Sequence, residues 1–327
     1  MRKPKILVVG SLVMDLIAET SRFPVAGETV LGTGFSTASG GKGANQAVQA
    51  ARLGADVTMV GMVGEDAFGT EMIASVQASG VDVSCIMKTS KASSAIGHIQ
   101  IEKTEDHVQN RILVVPGANM CIEPEHIAFL KDEIGQYDIV LLQLEIPMEI
   151  NTIVAAWAAE KGVPVMLNCA PIAAMPAELL RNITYISPNE SEAAVLTGVE
   201  VKDDASIAQA IAAIKALGVS NVLITLGSRG VAYESSEGIM YSPALKNLDV
   251  KDTTAAGDSF IGAFCTALAA GLPVETALVF ANHTAGLTVC RMGAQPSLPT
   301  LDEVIALMQE RGADITALIE SIGGKEQ

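Results

Sequence analysis

Positive charge is scarce in this chain. Its 327 residues carry 21 Lys+Arg against 37 Asp+Glu, a net charge of −16. Gripping nucleic-acid phosphates or an anionic bilayer requires a cationic face, so no nucleic-acid and no membrane partner is expected. Long hydrophobic runs are also missing. Mean hydropathy is +0.37, yet the uncharged stretches Ser259–Val274 and Gly162–Ala177 are 16 residues each and contain Gly and Pro. Both fall short of the ~18–20 residues of a spanning helix. The opening Met-Arg-Lys-Pro-Lys-Ile-Leu-Val-Val-Gly has too short an apolar run for a signal peptide and no small-residue cleavage site after it. A cytoplasmic location is therefore expected.

Metal and disulfide patterns are absent. The five cysteines (Cys85, Cys121, Cys169, Cys265 and Cys290) are odd in number and far apart, with no C-x-x-C. They read as reduced, mostly buried thiols. The four histidines form neither H-x-x-x-H nor H-E-x-x-H, which argues against zinc. No G-x-G-x-x-G follows the first apolar run, where the chain reads Gly10-Ser11-Leu12-Val13. A nicotinamide-dependent oxidoreductase is excluded on that ground.

What is present is a core, since 49% of residues are hydrophobic and spread along the chain. Ile6–Val9 reads as a strand buried on both faces. Gly43–Leu53 and Phe68–Ala78 have helical spacing, with the strand Val57–Val60 between them. From residue 116 onward, strands Ile139–Leu144, Val165–Asn168, Ile183–Ser187 and Val222–Leu226 alternate with helices Glu125–Glu133, Glu149–Lys161, Pro176–Leu180 and Ile207–Leu217. That rhythm predicts an α/β fold, a central mostly parallel sheet with helices on both faces. Val231–Tyr233 and Gly238–Tyr241 read as an edge hairpin. The C-terminal third reads as helical, over Ala256–Ala270, Val274–Val289 and Leu301–Arg311. Two excursions differ from this rhythm. Leu16–Ser39 reads as short exposed strands around Thr29-Val30 and Phe35-Ser36-Thr37. Ala95–Ile101 and Gln109–Val115 read as a hairpin with a charged, exposed connection, Glu102–Asp106. The division is thus a core over 1–12, 41–94 and 116–327, and a small β-sheet lid over 13–40 and 95–115. A sheet without helices needs a ligand or a second subunit over one face.

Four constellations carry chemistry. Gly40-Gly41-Lys42-Gly43-Ala44-Asn45-Gln46-Ala47, followed by Arg52-Leu53-Gly54-Ala55, opens a helix, where glycines bring backbone N–H groups close to a polar ligand and the Asn45 amide on the first turn can meet hydroxyls. The same glycines also suit a plain tight turn, and the order is not that of a Walker A loop. Lys251-Asp252-Thr253-Thr254-Ala255-Ala256-Gly257-Asp258 leads into a helix whose first-turn donors can hold a phosphoryl group. Asp258 is placed there to take a proton from an attacking hydroxyl, although Asp and Thr also serve as ordinary caps. In Pro188-Asn189-Glu190-Ser191-Glu192, residues Asn189 and Glu192 are three apart and could organise hydrated Mg²⁺, although this segment on its own reads first as a simple helix cap. Thr225-Leu226-Gly227-Ser228-Arg229-Gly230 follows a strand, where α/β sheets bind nucleotides, and suits a hairpin connection too.

In combination and order these segments resemble the ribokinase (PfkB-type) carbohydrate kinases, from Gly10-Ser11 to Gly293-Ala294-Gln295-Pro296-Ser297. The resemblance implies a sandwich with a β-sheet lid that often forms a homodimer interface, and ATP-dependent phosphorylation of a primary sugar hydroxyl. It implies that Asp15, Gly41, Lys42, Asn45 and Glu145 hold the sugar, with Asp258 as the base and Ala256 and Gly257 as the anion hole. Asn189 and Glu192 would organise Mg²⁺ and phosphate, and Thr225, Gly227, Ser228, Gly230 and Asn282 would line the ATP site. A K⁺ loop would fall on Asp252, Thr254, Thr288, Arg291, Gly293 and Ser297, several of them acting through backbone carbonyls.

Two positions depart from that pattern. Ribokinases commonly carry Asn where this chain has Val13, which cannot bond a hydroxyl. D-ribose is thus the first expectation, with 2-deoxyribose or another furanose or nucleoside as the alternative. Cys169 stands where Pro is usual, for which a small backbone effect is expected. A non-catalytic sugar-binding regulator on the same fold is the rival from another class, and the retained Asp258 argues against it.

Overall fold

The computed structural model describes residues 2–104, 108–235 and 238–322. Its strands are β1 (Lys5–Val9), β2 (Val13–Thr20), β3 (Gly34–Gly40), β4 (Asp56–Gly64), β5 (Asp82–Thr89), β6 (Ile96–Lys103), β7 (Val108–Val115), β8 (Ile139–Gln143), β9 (Val165–Asn168), β10 (Tyr185–Ile186), β11 (Asn221–Thr225), β12 (Val231–Ser235) and β13 (Gly238–Ser242). Nine of them form one sheet in the order β13-β12-β11-β10-β9-β8-β1-β4-β5. The pairs from β11 to β5 are parallel, and β12 and β13 close one edge as an antiparallel hairpin.

The apolar run of β1 divides between two cores. Ile6 and Val8 pack with Val48, Phe264, Leu278 and Val304 on one face, and Leu7 and Val9 pack with Ile150, Val154, Ile207 and Ile211 on the other. This is the period-two alternation of a strand hidden inside a continuous hydrophobic run, because both faces carry helices. The order in which strands are added reverses at β1, with β4 on one side and β8 on the other. A crevice opens at the carboxyl ends of strands beside such a switch. The loops after β1, β8, β9, β10 and β11 all leave from that end.

The other four strands form a separate sheet, β3-β2-β6-β7. Here β2 pairs antiparallel with β3, from Val13 against Gly40 to Glu19 against Gly34, and parallel with β6, from Met14 against Ile96 to Thr20 against Glu102. Four consecutive residues of the edge strand β7 (Ile112, Leu113, Val114 and Val115) are 40–63% exposed, so neither of its faces is covered.

The structure corrects the sequence reading in several places. Thr29-Val30 lies in the loop between β2 and β3 and forms no strand. Residues 125–133 are not one helix but a 3₁₀ turn, Pro124–Ile127, and a short helix, Leu130–Glu133. Glu102 and Lys103 belong to β6, while Glu105 and Asp106 of the expected connection lie outside the described residues. Strand β5 and the helices Glu190–Thr197 and Thr316–Ile322 were not foreseen. No helix among the described residues is long and apolar enough to cross a membrane.

Candidate active site

The helix Lys42–Arg52 enters the crevice because its first turn lies on the turn after β1. Ala44 N–H donates to Ser11 O at 2.9 Å. A Cβ on Gly43 would lie 2.6 Å from Ser11 N, so only glycine permits this approach. Gly41 has φ 91°, a conformation open to glycine, and turns the chain from β3 into the helix. Glu145, just past β8, ties the two segments together: its Oε2 accepts from Ser11 Oγ at 2.5 Å and from Lys42 N–H at 3.0 Å.

Asp258 stands in the first turn of the helix Ala256–Ala269 and is 6% exposed. Asn45 Nδ2 donates to its Oδ2 at 2.9 Å, and Gln46 Nε2 donates to its Oδ1 at 3.1 Å. The other end of the Asn45 amide, Oδ1, is buried without a partner. Lys42 is held above the ordinary lysine range by Asp258 foremost, and by Glu145 and Glu192, against the opposing effect of burial. Asp15 on β2 is pushed up to about 6, first by burial and then by the charge of Glu145. One cation thus serves several carboxylates.

A cavity of about 1060 Å³ opens from Lys42 and Asp258 toward β11. Of the residues singled out above, Asn189, Glu192, Thr225, Gly227, Ser228, Gly230, Ala256, Gly257 and Asn282 line it as well. A Cβ on Gly257 would meet nothing within 4 Å, so that turn presents bare backbone to the cavity. Ala255 begins the helix in the left-handed region at φ 59°. Asn189 and Glu192 realise the cap: Glu192 N–H donates to Asn189 Oδ1 and Asn189 N–H to Glu192 Oε2, both at 2.8 Å. Burial raises the Glu192 carboxyl, opposed by that backbone bond and by Lys42. Asn282 Nδ2 donates to Ser242 Oγ at 2.8 Å.

Asp15, Val13, Gly41, Asn45 and Glu145 lie outside the lining of this cavity, where the four-stranded sheet meets the nine-stranded one. Asp252, Thr254, Arg291 and Gly293 lie in two loops, while Thr288 is in the last turn of the helix Val274–Val289 and Ser297 ends the 3₁₀ turn Gln295–Ser297. Asp252 Oδ1 accepts from Thr254 N–H at 2.9 Å, and Asp252 Oδ2 accepts from Gly293 N–H at 2.9 Å. The Thr288 hydroxyl bonds Ser259 Oγ at 2.7 Å, and Arg291 pairs with Glu303 at 2.6 Å. Both side chains are thus engaged by partners within the protein. Cys169 is buried, and burial drives its thiol well above the ordinary range.

A profile described as pfkB family carbohydrate kinase matches residues 3–301. The chain belongs to the pfkB family of carbohydrate kinases. Within that family it is 41% identical to the ribokinase of Bacillus subtilis over 303 residues, 93% of this chain and 99% of that one. It is 31% identical to the deoxyribokinase of Salmonella typhi over 299 residues, 91% and 96% of the two chains. The structure of Arabidopsis thaliana ribokinase complexed with ribose and ATP superposes with a TM-score of 0.86 at 36% identity, covering 94% of this chain and 99% of that one.

Sequence reasoning missed two parts of this pfkB-family site. The loop Ala244–Leu248 and Val250 line the cavity, and a Cβ on Gly286 would lie 2.6 Å from Leu245 Cδ1. The loop has no period, and Asn247 at φ 58° is its one local signal. The buried amides Gln46 and Gln143 were also passed over. An uncharged amide inside an apolar stretch was the available clue.

Proposed function

We propose that this carbohydrate kinase transfers the γ-phosphoryl group of ATP to the primary hydroxyl of a pentose, D-ribose first, giving D-ribose 5-phosphate and ADP. The observation that carries the reading is Asn45. Its amide nitrogen is committed to Asp258, and its carbonyl oxygen is buried and unpartnered beside the same carboxylate. A sugar hydroxyl supplies the donor this oxygen lacks, and a neighbouring hydroxyl then reaches Asp258. Asp258 takes that proton, the sugar oxygen bonds to the γ-phosphorus, and the bond from phosphorus to the β-phosphate bridging oxygen breaks. The backbone donors at Ala256 and Gly257 face the transferring group. Asp15, Gly41, Lys42 and Glu145 orient the sugar, and Asp258 and Glu145 favour the charge of Lys42. Thr225, Gly227, Ser228, Gly230 and Asn282 hold the nucleotide.

Asn189 and Glu192 offer hard oxygens on the cavity wall, and no group of three or more His, Cys, Asp or Glu side chains suited to a metal occurs among the described residues. That fits Mg²⁺, which keeps most of its water and binds through substrate phosphates. When bound, Mg²⁺ supplies positive charge to the phosphate oxygens. The loops joined by Asp252 and Gly293 offer carboxylate, hydroxyl and backbone oxygens of the kind K⁺ takes, from Thr254, Thr288, Arg291, Gly293 and Ser297. The lid over 13–40 and 95–115 pairs with a second subunit in this reading, supported by the exposed Ile112–Val115 and by Phe35, 71% exposed. Five unpaired cysteines suit the reducing cytoplasm.

A second reading, 2-deoxyribose as substrate, is favoured by Val13. Val13 and Asp15 are two apart on β2 and share a face, and Val13 is 6% exposed. An ADP-release assay over ribose, 2-deoxyribose, arabinose, xylose, fructose and nucleosides tests both readings, run with and without Mg²⁺ and in K⁺ against Na⁺. Ribose is expected to give the highest kcat/KM, in Mg²⁺ and K⁺. No sugar-dependent ADP from any pentose would overturn the proposal.

A further inference from the structure

The two oxygens of Asp258 are held by adjacent residues of one helix, yet only Asn45 has an amide end left for a ligand. Gln46 is wholly buried, is no part of the cavity wall, and has both ends of its amide engaged. Its Nε2 donates to Asp258 Oδ1 at 3.1 Å and to Asn168 Oδ1 at 3.2 Å. Its Oε1 accepts from Gln143 Nε2 at 2.7 Å. The backbone carbonyl of Gln143 in turn accepts from Asn151 Nδ2 at 2.8 Å.

This chain of amides has a direction, and the direction starts at Asp258. An ionised carboxylate only accepts, so Gln46 must donate to it. Oε1 of Gln46 then needs a donor, which the amide nitrogen of Gln143 supplies. Gln143 Oε1 is consequently left buried with no partner. It rests against Gly10, where a Cβ would sit 2.0 Å away. Turning Gln143 around would set its oxygen against that of Gln46, and satisfying it would require turning Gln46 as well, so that its carbonyl meets the Asp258 carboxylate. Buried carbonyls are rarely left without a donor. Here the orphan sits at the far end of the chain from the reacting group.

We propose that Gln46 is a positioning residue for phosphoryl transfer. It fixes the rotation of the Asp258 carboxylate, so that the oxygen shared with Asn45 presents its free lone pair to the sugar hydroxyl. Gln143 fixes which way the Gln46 amide faces. The proposal rests on the reading of Asp258 as the base, and the test separates the two.

Gln46→Met keeps the volume and removes both ends of the amide. Steady-state kinetics on ribose and ATP should show kcat lowered by roughly 10- to 100-fold, as for a misplaced reacting group, with both KM values within about twofold of wild type. In an Asp258→Asn background the same substitution should change the residual rate by less than about twofold, because a base that is absent cannot be misoriented. Wild-type kcat in Gln46→Met beside an inactive Asp258→Asn overturns the proposal and leaves the base assignment standing. An equal further loss in the Asp258→Asn background means that Gln46 only supports the fold, and overturns it too. Full turnover by Asp258→Asn removes the base and the proposal together. Should Gln46→Met fail to fold, the near-isosteric Gln46→Glu is read in its place. It sets a carboxylate against Asp258 and must lose at least as much kcat, and unchanged turnover there overturns the proposal.

Discussion

Asp15 stands directly opposite Gly97 on the neighbouring strand, so close that a Cβ at Gly97 would lie 2.3 Å from Asp15 Oδ1. Gly40 closes the other side, where a Cβ would lie 2.9 Å from Oδ2. The carboxylate is thus aimed by two glycines. Gly97→Ala should turn it away, raising the sugar KM by ~5- to 150-fold, the ~1–3 kcal/mol of a lost charged hydrogen bond, with the ATP KM unchanged. Separate titrations of sugar and ATP check this, and an equal rise in both would count against it.

The same carboxyl makes stability depend on pH. Burial, then Glu145, pushes Asp15 up to about 6, against ~3.9 for an unfolded aspartate. Between these values the folded state binds more protons, so stability declines as pH rises, and the cost is complete above about 6. Two units correspond to at most ~3 kcal/mol. Asp15→Asn, neutral throughout, should therefore raise the sugar-free Tm at about pH 8 and leave it unchanged at about pH 4. Thermal melts at the two pH values decide it, and a gain of equal size at both would show that the carboxyl is not the cause.

Ala255 at φ 59° carries a Cβ where the left-handed region penalises one, by ~1–2 kcal/mol. Ala255→Gly relieves this and gives back part of it as unfolded-state entropy, for a net gain of ~0.5–1 kcal/mol. The urea midpoint should rise with an unchanged slope. A lower midpoint would mean that the alanine methyl contributes packing that outweighs the strain.

Val13→Asn should raise the preference for ribose over 2-deoxyribose by ~5- to 150-fold in kcat/KM, since it restores a partner for a hydroxyl and removes apolar surface. Both sugars are measured at saturating ATP and K⁺. An unchanged ratio would show that Val13 does not set specificity.

The alternating α/β half was legible because each strand there is a short apolar run buried on both faces, bounded by turn residues. Strand β5 escaped because it is an edge strand: Val83, Cys85 and Met87 alternate, but only half-buried, with Asp82 and Lys88 exposed. Residues 125–133 misled because an apolar period survives where the hydrogen bonds tighten into 3₁₀ turns. In the site, motif residues that expose backbone or charge at strand ends could be read from order alone. Gln46 and Gln143 could not, since their bonding partners come from segments about 100 and 200 residues away. Loop 244–250 could not either, because Leu245 and Leu248 pack against Gly286 on another element, a contact no local period announces.

Where β2 and β3 leave the four-stranded sheet, the chain passes to the nine-stranded one without slack. Leu12 alone separates Ser11 from the first residue of β2, and β3 ends at Gly40, next to the Gly41 hinge. Ser11 and Lys42 are the two residues that hold Glu145. Any tilt of β2 and β3 at this junction must therefore be absorbed by the dihedrals of Leu12 and Gly41 themselves, and it pulls directly on both bonds to that carboxylate. Moving these two strands and loosening Glu145 become a single mechanical event, so neither side of the junction waits while the other moves.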